Sequence, residues 1–321
     1  MKRHNYVWLI GAAVLVACSM GALWLSQSPE TLLSLAVRRE RAGAALVAKQ
    51  VTLPPHEVVY LEGGAPEGPH VLLLHGFAAD KDNWTRFSRS LRRAGFHIHA
   101  PDLPGHGESN RLHEYTYDIP NQVAFVAAFL DATGIQSVHL AGNSMGGHIA
   151  AAFAATHPDR VLSLGLFNAG GVTAPVTSER QQMMDETGVN PLLVESLQDF
   201  DRLLEFVFVV PPPMPTVVKQ YFADRAVTNR TFNDKIYADL SLHGRLMPLE
   251  PLLPRVIAPS LILWGDTDRV LHPSGAAVLA AGLPDSETVI MSDMGHSPMI
   301  ERPEETASIY IEFLTRSIED R

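Results

Sequence analysis

Cysteine is almost absent from this chain of 321 residues, in which Cys18 is the only one. One thiol cannot form an internal disulfide, nor can it supply the several thiolates of a cysteine metal site. Basic side chains are outnumbered, with 25 lysines and arginines against 35 aspartates and glutamates and a net charge of -10. A negative surface repels polyanions, so nucleic acid is not expected as a partner. The composition favours neutral small-molecule ligands instead.

Charged side chains are missing from residues 6–25, a run of 20 residues that follows Lys2 and Arg3. A helix of this length and character can cross a bilayer, so residues 1–27 are predicted to be a signal-anchor segment. A cleaved signal is an alternative, because Leu15-Val16-Ala17-Cys18 resembles the site at which lipoprotein precursors are cleaved and the cysteine is acylated. Simple secretion and a buried helix remain open. Every alternative except the buried helix places the chain at or across a membrane.

Residues 28–54 are predicted to form an amphipathic linker helix. The sequence Ser28-Pro29-Glu30 is a helix-start pattern, and leucines and valines are interspersed with arginines after it. Such a helix either lies along the lipid surface or packs on the flank of the domain that follows. Lysine and arginine beside a membrane span favour the cytoplasmic side. Basic residues lie both before the apolar run and in this helix after it, so the rule gives no clear orientation. We expect the main domain on the periplasmic or extracytoplasmic side.

Alternating strand and helix patterns begin near residue 55. Continuous apolar runs such as residues 71–74 are typical of strands that are covered on both faces. Because helical patterns separate these runs, we predict an α/β fold with a mostly parallel central sheet covered by helices. The predicted core consists of residues 55–170 and 255–321. Residues 171–254 interrupt the alternation and are predicted to form an inserted helical cap.

The predicted cap contains an apolar stretch at residues 206–210, Phe-Val-Phe-Val-Val, followed by several prolines. One interpretation is that this stretch lines a route for an acyl chain or contacts lipid. The other interpretation is that it forms the core of the cap itself. The sequence leaves both open.

The stretch Gly142-Asn143-Ser144-Met145-Gly146 lies between an apolar strand pattern and an alanine-rich helix pattern. A Gly-x-Ser-x-Gly sequence in that context predicts a nucleophile elbow, in which a serine at a strained turn presents its hydroxyl. The small residues on either side leave room for the sharp turn. Ser144 is therefore the candidate nucleophile.

A serine hydroxyl needs a histidine to take its proton and a carboxylate to orient that histidine. His296 is the candidate base, because it follows the last predicted strand and is preceded by glycine. His75 and His106 also lie in loops that face the predicted site. We interpret these two as supports for their loops.

Asp268 is the candidate acid, since it follows a predicted strand and precedes the candidate base in the chain. Asp266 and Asp293 are the alternatives, which we interpret as turn or surface residues. Asp102 is interpreted as a carboxylate that braces the loop after the fourth strand.

Negative charge that develops on a substrate oxygen needs hydrogen-bond donors. The backbone amide of Met145 begins the helix after the serine. The amide of Phe77 follows His75-Gly76 at the end of the third predicted strand, beside the elbow. Phe77 and Met145 are the predicted oxyanion donors. No pattern in the chain implies a metal ion or an organic cofactor.

Five motifs carry a resemblance to a known family. They are His75-Gly76-Phe77 with Lys81-Asp82-Asn83-Trp84, Asp102-Leu103-Pro104-Gly105-His106-Gly107, Gly142-Asn143-Ser144-Met145-Gly146-Gly147, Trp264-Gly265-Asp266-Thr267-Asp268, and Gly295-His296-Ser297 with Glu301-Arg302-Pro303. From about residue 55 onward the chain resembles the α/β-hydrolase superfamily. Within it the chain is similar to the membrane-anchored monoacylglycerol lipase group, which includes mammalian ABHD-type lipases and bacterial lipases of the Moraxella lipase 3 kind.

The resemblance implies Ser144, Asp268 and His296 as a catalytic triad, with Phe77 and Met145 as oxyanion donors. The expected function is hydrolysis of carboxylic esters with apolar acyl groups, such as monoacylglycerols, through an acyl-serine intermediate. A carbon–carbon bond hydrolase is an alternative that shares Gly-Asn-Ser-Met-Gly-Gly but not the sequence after His75. A hydrolase-fold protein that only binds a ligand is another. Dehalogenases and epoxide hydrolases are excluded, because both need aspartate in place of Ser144.

Overall fold

The computed structural model describes residues 29–241 and 247–319. The apolar run at residues 6–25 and Cys18 lie outside these described residues, and so do the predictions made for residues 1–27. Among the helices of residues 29–241 and 247–319, none has both the length and the apolar character that a bilayer crossing requires.

One mixed sheet forms the centre of the described part of the chain. Its strands are β1 (Leu46–Leu53), β2 (His56–Gly64), β3 (His70–Leu74), β4 (His97–Pro101), β5 (Val138–Asn143), β6 (Val161–Phe167), β7 (Ser260–Gly265) and β8 (Ser286–Met291). They lie in the order β1-β2-β4-β3-β5-β6-β7-β8. β2 pairs antiparallel with β1 and with β4, and all other neighbours pair parallel. The predicted mostly parallel α/β architecture is confirmed, and the carboxyl ends of β3 to β8 meet at one edge.

Helices cover both faces of this sheet. In the described residues they are α1 (Pro29–Gly43), α2 (Thr85–Arg93), α3 (Ile119–Ala132), α4 (Met145–Thr156), α5 (Glu179–Thr187), α6 (Leu197–Val207), α7 (Thr216–Thr228), α8 (Arg230–Ser241), α9 (Ser274–Gly282), α10 (Pro298–Glu301) and α11 (Pro303–Glu319). Short 3₁₀ helices occupy Lys81–Trp84, Pro158–Arg160 and Leu253–Arg255. Helices α5 to α8 lie between β6 and β7 and form the inserted helical cap.

The apolar runs of the central strands divide between two cores. Side chains alternate along a strand, so Val71 and Leu73 of β3 face one core while Leu72 and Leu74 face the other. All four are fully buried. Burial on both faces is the reason why β3 carries no polar residue between its ends, as the sequence predicts.

The prediction of one helix over residues 28–54 is wrong in its second half. The helix α1 ends at Gly43, and the strand β1 follows, paired along its whole length with β2 from Leu46 opposite Gly63 to Leu53 opposite His56. Ala45 adopts a left-handed φ of 52° between the two elements. The strand is an edge strand with one solvated face, so it lacks the continuous apolar run that marks the central strands. The sheet therefore begins before residue 55.

The apolar stretch at residues 206–210 contains both buried and exposed side chains. Phe206 and Phe208 are 6% and 9% exposed. Val209 and Val210 are 40% and 66% exposed. The stretch thus buries its two aromatic rings and leaves its last two valines at the surface.

Ion pairs connect α1 and the loops near the sheet edge. Arg41 of α1 donates twice to the Asp82 carboxylate, from Nε at 2.7 Å and from Nη2 at 2.5 Å. Lys81, whose side chain is 1% exposed, donates from Nζ to Asp102 and to Glu108, both at 2.7 Å. Asp102 also accepts from the backbone amides of Lys81 and Glu108. Removing one partner of such a buried pair costs about 3–5 kcal/mol, so Asp102 braces its loop as the sequence suggests.

Candidate active site

The turn between β5 and α4 holds Ser144 in a strained backbone conformation. Its φ is 56°, which L-residues rarely adopt. A Cβ atom at Gly142 would lie 2.2 Å from the carbonyl oxygen of Gly146, and a Cβ atom at Gly146 would lie 2.2 Å from that of Leu74. Only glycine fits these two positions. The tight backbone packing therefore sets the serine at the carboxyl edge of the sheet.

His296 and Asp268 are in contact at the same edge. The Nδ1–H of His296 donates to Oδ2 of Asp268 at 2.8 Å, since an ionised carboxylate only accepts. The other carboxylate oxygen accepts from the backbone amides of Val270 at 2.8 Å and Leu271 at 3.0 Å. The side-chain amide of Asn168 donates to Oδ2 at 2.7 Å. These donors fix a fully buried carboxylate, which in turn fixes the orientation and tautomer of the imidazole.

The alternative carboxylates lie elsewhere. Asp266 is exposed, and its Oδ1 accepts from the Thr267 hydroxyl at 2.8 Å. Asp293 is also exposed and adopts a left-handed φ of 50° in the loop after β8. Both residues shape turns, and the structure brings neither of them to the His296 ring.

Two asparagines hold the loops of this edge together, and the sequence reasoning missed both. The Asn143 side-chain amide donates to the carbonyl oxygens of Phe167 and His296, each at 3.0 Å. This connects the residue before Ser144 to the backbone of the histidine. Asn168 follows β6 directly, and its position as a polar residue at the carboxyl end of a buried strand was an available signal.

The loop after β3 lies against the serine. A Cβ atom at Gly76 would lie 3.2 Å from the Ser144 Cβ, so glycine permits the close approach. The backbone amides of Phe77 and Met145 make no hydrogen bond within the described residues. Unpaired amides beside a nucleophile suit the stabilisation of a negative oxygen. The Phe77 ring also contacts Tyr237 of α8, with centroids 5.8 Å apart.

His75 supports this loop and is not placed as a base. Its Nδ1–H donates to the Gly76 carbonyl at 2.8 Å, and its Nε2 accepts from the Leu103 amide at 3.0 Å. Burial lowers the pKa of His75 to about 4 and that of His106 to about 3. His106 packs edge-on against His75, with centroids 5.2 Å apart. Both rings are neutral at pH 7 and connect the loops after β3 and β4.

Glu301 connects the cap to the loop that carries His296. Its Oε1 accepts from the Val210 amide of the cap at 2.8 Å, and its Oε2 accepts from the Gly295 amide at 3.1 Å. The His296 amide also donates to the carbonyl oxygen of Val207 at 2.8 Å. The histidine loop is thus held from the cap side by one carboxylate and one carbonyl group.

Two cavities of the described structure are lined by loops at this edge of the sheet and by residues of the inserted region. One, of about 120 Å³, adjoins the loop after Phe77 and is lined by core residues such as Ala78 and by cap residues such as Phe222 and Arg225. The other, of about 270 Å³, adjoins the acid loop and is lined in part by Ala169, Val172, Trp264 and Leu271. It begins next to Gly170, whose amide donates to the Ser144 carbonyl at 3.0 Å.

Comparison with known proteins identifies the family. A family model described as the α/β-hydrolase fold matches residues 69–303. The chain belongs to this family. Lipase 3 of Moraxella sp. strain TA144 is 32% identical over 311 residues, which cover 95% of this chain and 96% of that lipase. A monoacylglycerol lipase of Xenopus laevis is 30% identical and is covered to 84%, with 86% of this chain aligned.

A solved structure of a membrane phospholipase A, described as a bacterial virulence factor, is also similar to this hydrolase. The two are 46% identical, the alignment covers 99% of each chain, and the TM-score is 0.88. The resemblance to lipases is therefore confirmed across almost the whole sequence. The hydrolase is an ester-cleaving serine enzyme.

Removing the Glu301 carboxylate should lower activity through the histidine loop. We expect Glu301→Ala to reduce kcat/KM for p-nitrophenyl butyrate by about 10-fold, because two hydrogen bonds to a charged group are lost. This factor corresponds to a rise of about 1.4 kcal/mol in the activation free energy. Steady-state kinetics measure the change. Glu305→Ala is the matched control, since within residues 29–241 and 247–319 the Glu305 side chain makes only an exposed ion pair with Arg302 at 3.5 Å. Equal kinetics in the two variants would contradict this role.

Acidification should destabilise the hydrolase through its buried histidines. The pKa of His75 is about 4 in the folded chain against an ordinary 6.5, so between these values only the unfolded chain binds the proton. The free energy of unfolding therefore falls as pH falls through this window, by about 1.4 kcal/mol per pH unit for each such proton. Urea unfolding from pH 7 downward measures the slope.

His75→Gln should reduce the slope of the unfolding free energy against pH by the contribution of one proton, about 1.4 kcal/mol per pH unit. His113→Gln is the control, because the His113 ring is exposed and its variant should retain the wild-type slope. A His75→Gln slope identical to that of the wild type would show that His75 takes up its proton equally in both states.

Proposed function

We propose that the enzyme cleaves carboxylic esters of apolar acyl chains, including monoacylglycerols, with Ser144 as nucleophile, His296 as base and Asp268 as acid. The observation that carries this assignment is the 2.8 Å contact between His296 Nδ1 and Asp268 Oδ2, in a loop that Asn143 connects to the elbow. The similarity to a monoacylglycerol lipase and to a phospholipase A supports a lipid ester as substrate.

The reaction begins when Ser144 Oγ attacks the ester carbonyl carbon and the His296 imidazole takes the hydroxyl proton. The Asp268 carboxylate stabilises the imidazolium that forms. The Phe77 and Met145 amides donate to the oxyanion of the tetrahedral intermediate. When the intermediate collapses, the alcohol leaves with the proton from His296. Water then attacks the acyl-serine with His296 as base, and the fatty acid is released.

We assign the acyl chain to the cavity beside the acid loop. Its walls include the apolar side chains of Val172, Trp264 and Leu271, which suit a hydrocarbon.

Asp268→Asn tests the triad. The amide cannot hold the required imidazole tautomer, so we expect kcat to fall by about 10⁴-fold on p-nitrophenyl butyrate and on a monoacylglycerol. Asp266→Asn, two residues away, should remain near the wild-type value. Ser144→Ala should abolish labelling by a fluorophosphonate probe. Undiminished labelling of Ser144→Ala, or equal loss in both aspartate variants, would refute the assignment. Labelling without ester turnover would favour the carbon–carbon bond hydrolase alternative.

We propose further that residues 1–27 anchor the enzyme at a membrane, with the catalytic domain outside the cytoplasm. The uncharged run at residues 6–25 supports an anchor, as does the similarity to a membrane phospholipase A. The chain should remain in carbonate-washed membranes, and a variant lacking residues 1–27 should be found in the supernatant. Cys18→Ser separates the two anchors, because only a lipid-linked protein would lose metabolic labelling by a fatty-acid analogue in this variant. Membrane retention of the shortened variant would contradict the proposal.

A further inference from the structure

Three histidines cluster at the edge of the sheet opposite the active site. His70 begins β3 and His97 begins β4, with His99 two residues further along. Their ring centroids lie 4.7–5.2 Å from one another. Glu62 of β2 pairs directly with His99 across the sheet. Residues opposite each other or two apart share a face, so all four side chains project from the same side.

The polar atoms of this cluster are spaced as ligands of a single ion. One nitrogen from each histidine lies within 4.8 Å of the other two. His70 Nδ1 is 3.0 Å from His99 Nε2, and His97 Nε2 is 3.4 Å from Glu62 Oε1. In a tetrahedral zinc site with bonds of about 2.0–2.1 Å, neighbouring ligand atoms lie about 3.3 Å apart. Both distances are close to that value.

The hydrogen-bond partners of the histidine ring nitrogens also suit metal binding. His97 Nδ1 lies 3.2 Å from the Pro66 carbonyl, which can only accept, so this nitrogen donates and Nε2 is the ring nitrogen that faces the cluster. In metal sites, the ring nitrogen of histidine that does not bind the ion usually donates to a carbonyl or carboxylate, which fixes the orientation of the ring. His99 is 3% exposed, and its Nδ1 has no hydrogen-bond partner among the described residues.

We propose that His70, His97 and His99 bind one divalent transition-metal ion and that the Glu62 carboxylate turns from Lys49 towards the ion as the fourth ligand, with Zn²⁺ as the best match to three imidazoles and a carboxylate. Four protein ligands close a tetrahedral site, so the ion has a structural role. It would join β2, β3 and β4 at the amino ends of β3 and β4. Ser144 follows the carboxyl end of β5, so the ion does not take part in ester hydrolysis.

Lys49 competes with the ion for the carboxylate. Its Nζ lies 2.8 Å from Glu62 Oε1, and its side chain is 49% exposed. An exposed ion pair of this kind contributes little to stability, so a divalent ion can displace the ammonium group. Removing Lys49 should therefore tighten metal binding, whereas removing a ligand should weaken it.

Cobalt titration of the full chain tests the site. The protein is purified with a histidine-free tag, treated with a chelator and titrated with Co²⁺, which gives intense visible bands when tetrahedral. We expect saturation at one equivalent and displacement by Zn²⁺. His97→Gln should weaken binding by at least about 10-fold, and Lys49→Ala should strengthen it. Zn²⁺ should raise the melting temperature of the wild type and leave that of His97→Gln unchanged.

His113→Gln is the control, since it removes an exposed histidine outside the cluster and should bind as the wild type does. The metal-free melting temperature of His97→Gln checks that this variant folds. If it does not, His70→Gln and Glu62→Gln replace it. Absence of a saturable tetrahedral spectrum, or wild-type affinity in the folded ligand variants, would overturn the proposal.

Discussion

The close backbone contact around Ser144 is the constraint on which the site depends. Gly146 packs on the Leu74 carbonyl of β3, so a side chain there would separate the strand from the elbow, and a side chain at Gly76 would crowd Ser144. The positive φ of Ser144 costs about 1–3 kcal/mol, and the packing of β3, β5 and α4 offsets it. Because β3 also leads into the loop of Phe77, the same contact sets the proposed nucleophile and the proposed oxyanion donors relative to each other.

The cap is joined to both loops that carry the other proposed catalytic residues. On the histidine side, Val207 accepts from the His296 amide and Glu301 bridges to Val210. On the acid side, Arg269 donates to the Glu205 carbonyl at 3.1 Å, and its guanidinium lies 4.5 Å from the centre of the Phe206 ring. A shift of the end of α6 therefore moves the backbone beside both residues. The cap therefore contributes to positioning both proposed catalytic residues.

The sequence was informative where a local pattern determines the structure. The strand, turn and helix around Ser144 lie within 20 residues and each has its own signal, so the elbow could be predicted. The edge strand β1 was missed, because one solvated face removes the apolar run that marks a buried strand. Asn168 and Glu301 act across the chain, the latter 91 residues from Val210, and no periodicity records such a pairing. The cluster of His70 with His97 needed the register of two parallel strands, which the sequence does not contain.

Hydrogen-bond partners distinguish the buried histidines more sharply than their positions in the chain do. His75 has both ring nitrogens paired with backbone groups, so it can neither take nor release a proton without breaking a loop contact. His296 has Nδ1 on a carboxylate, which stabilises the charged ring that a base must become. His99 has no partner for Nδ1 among the described residues, and its other nitrogen contacts a second imidazole. The contacts of His296 therefore suit its proposed role as base, whereas those of His99 suit the proposed metal ion, which binds neutral imidazole.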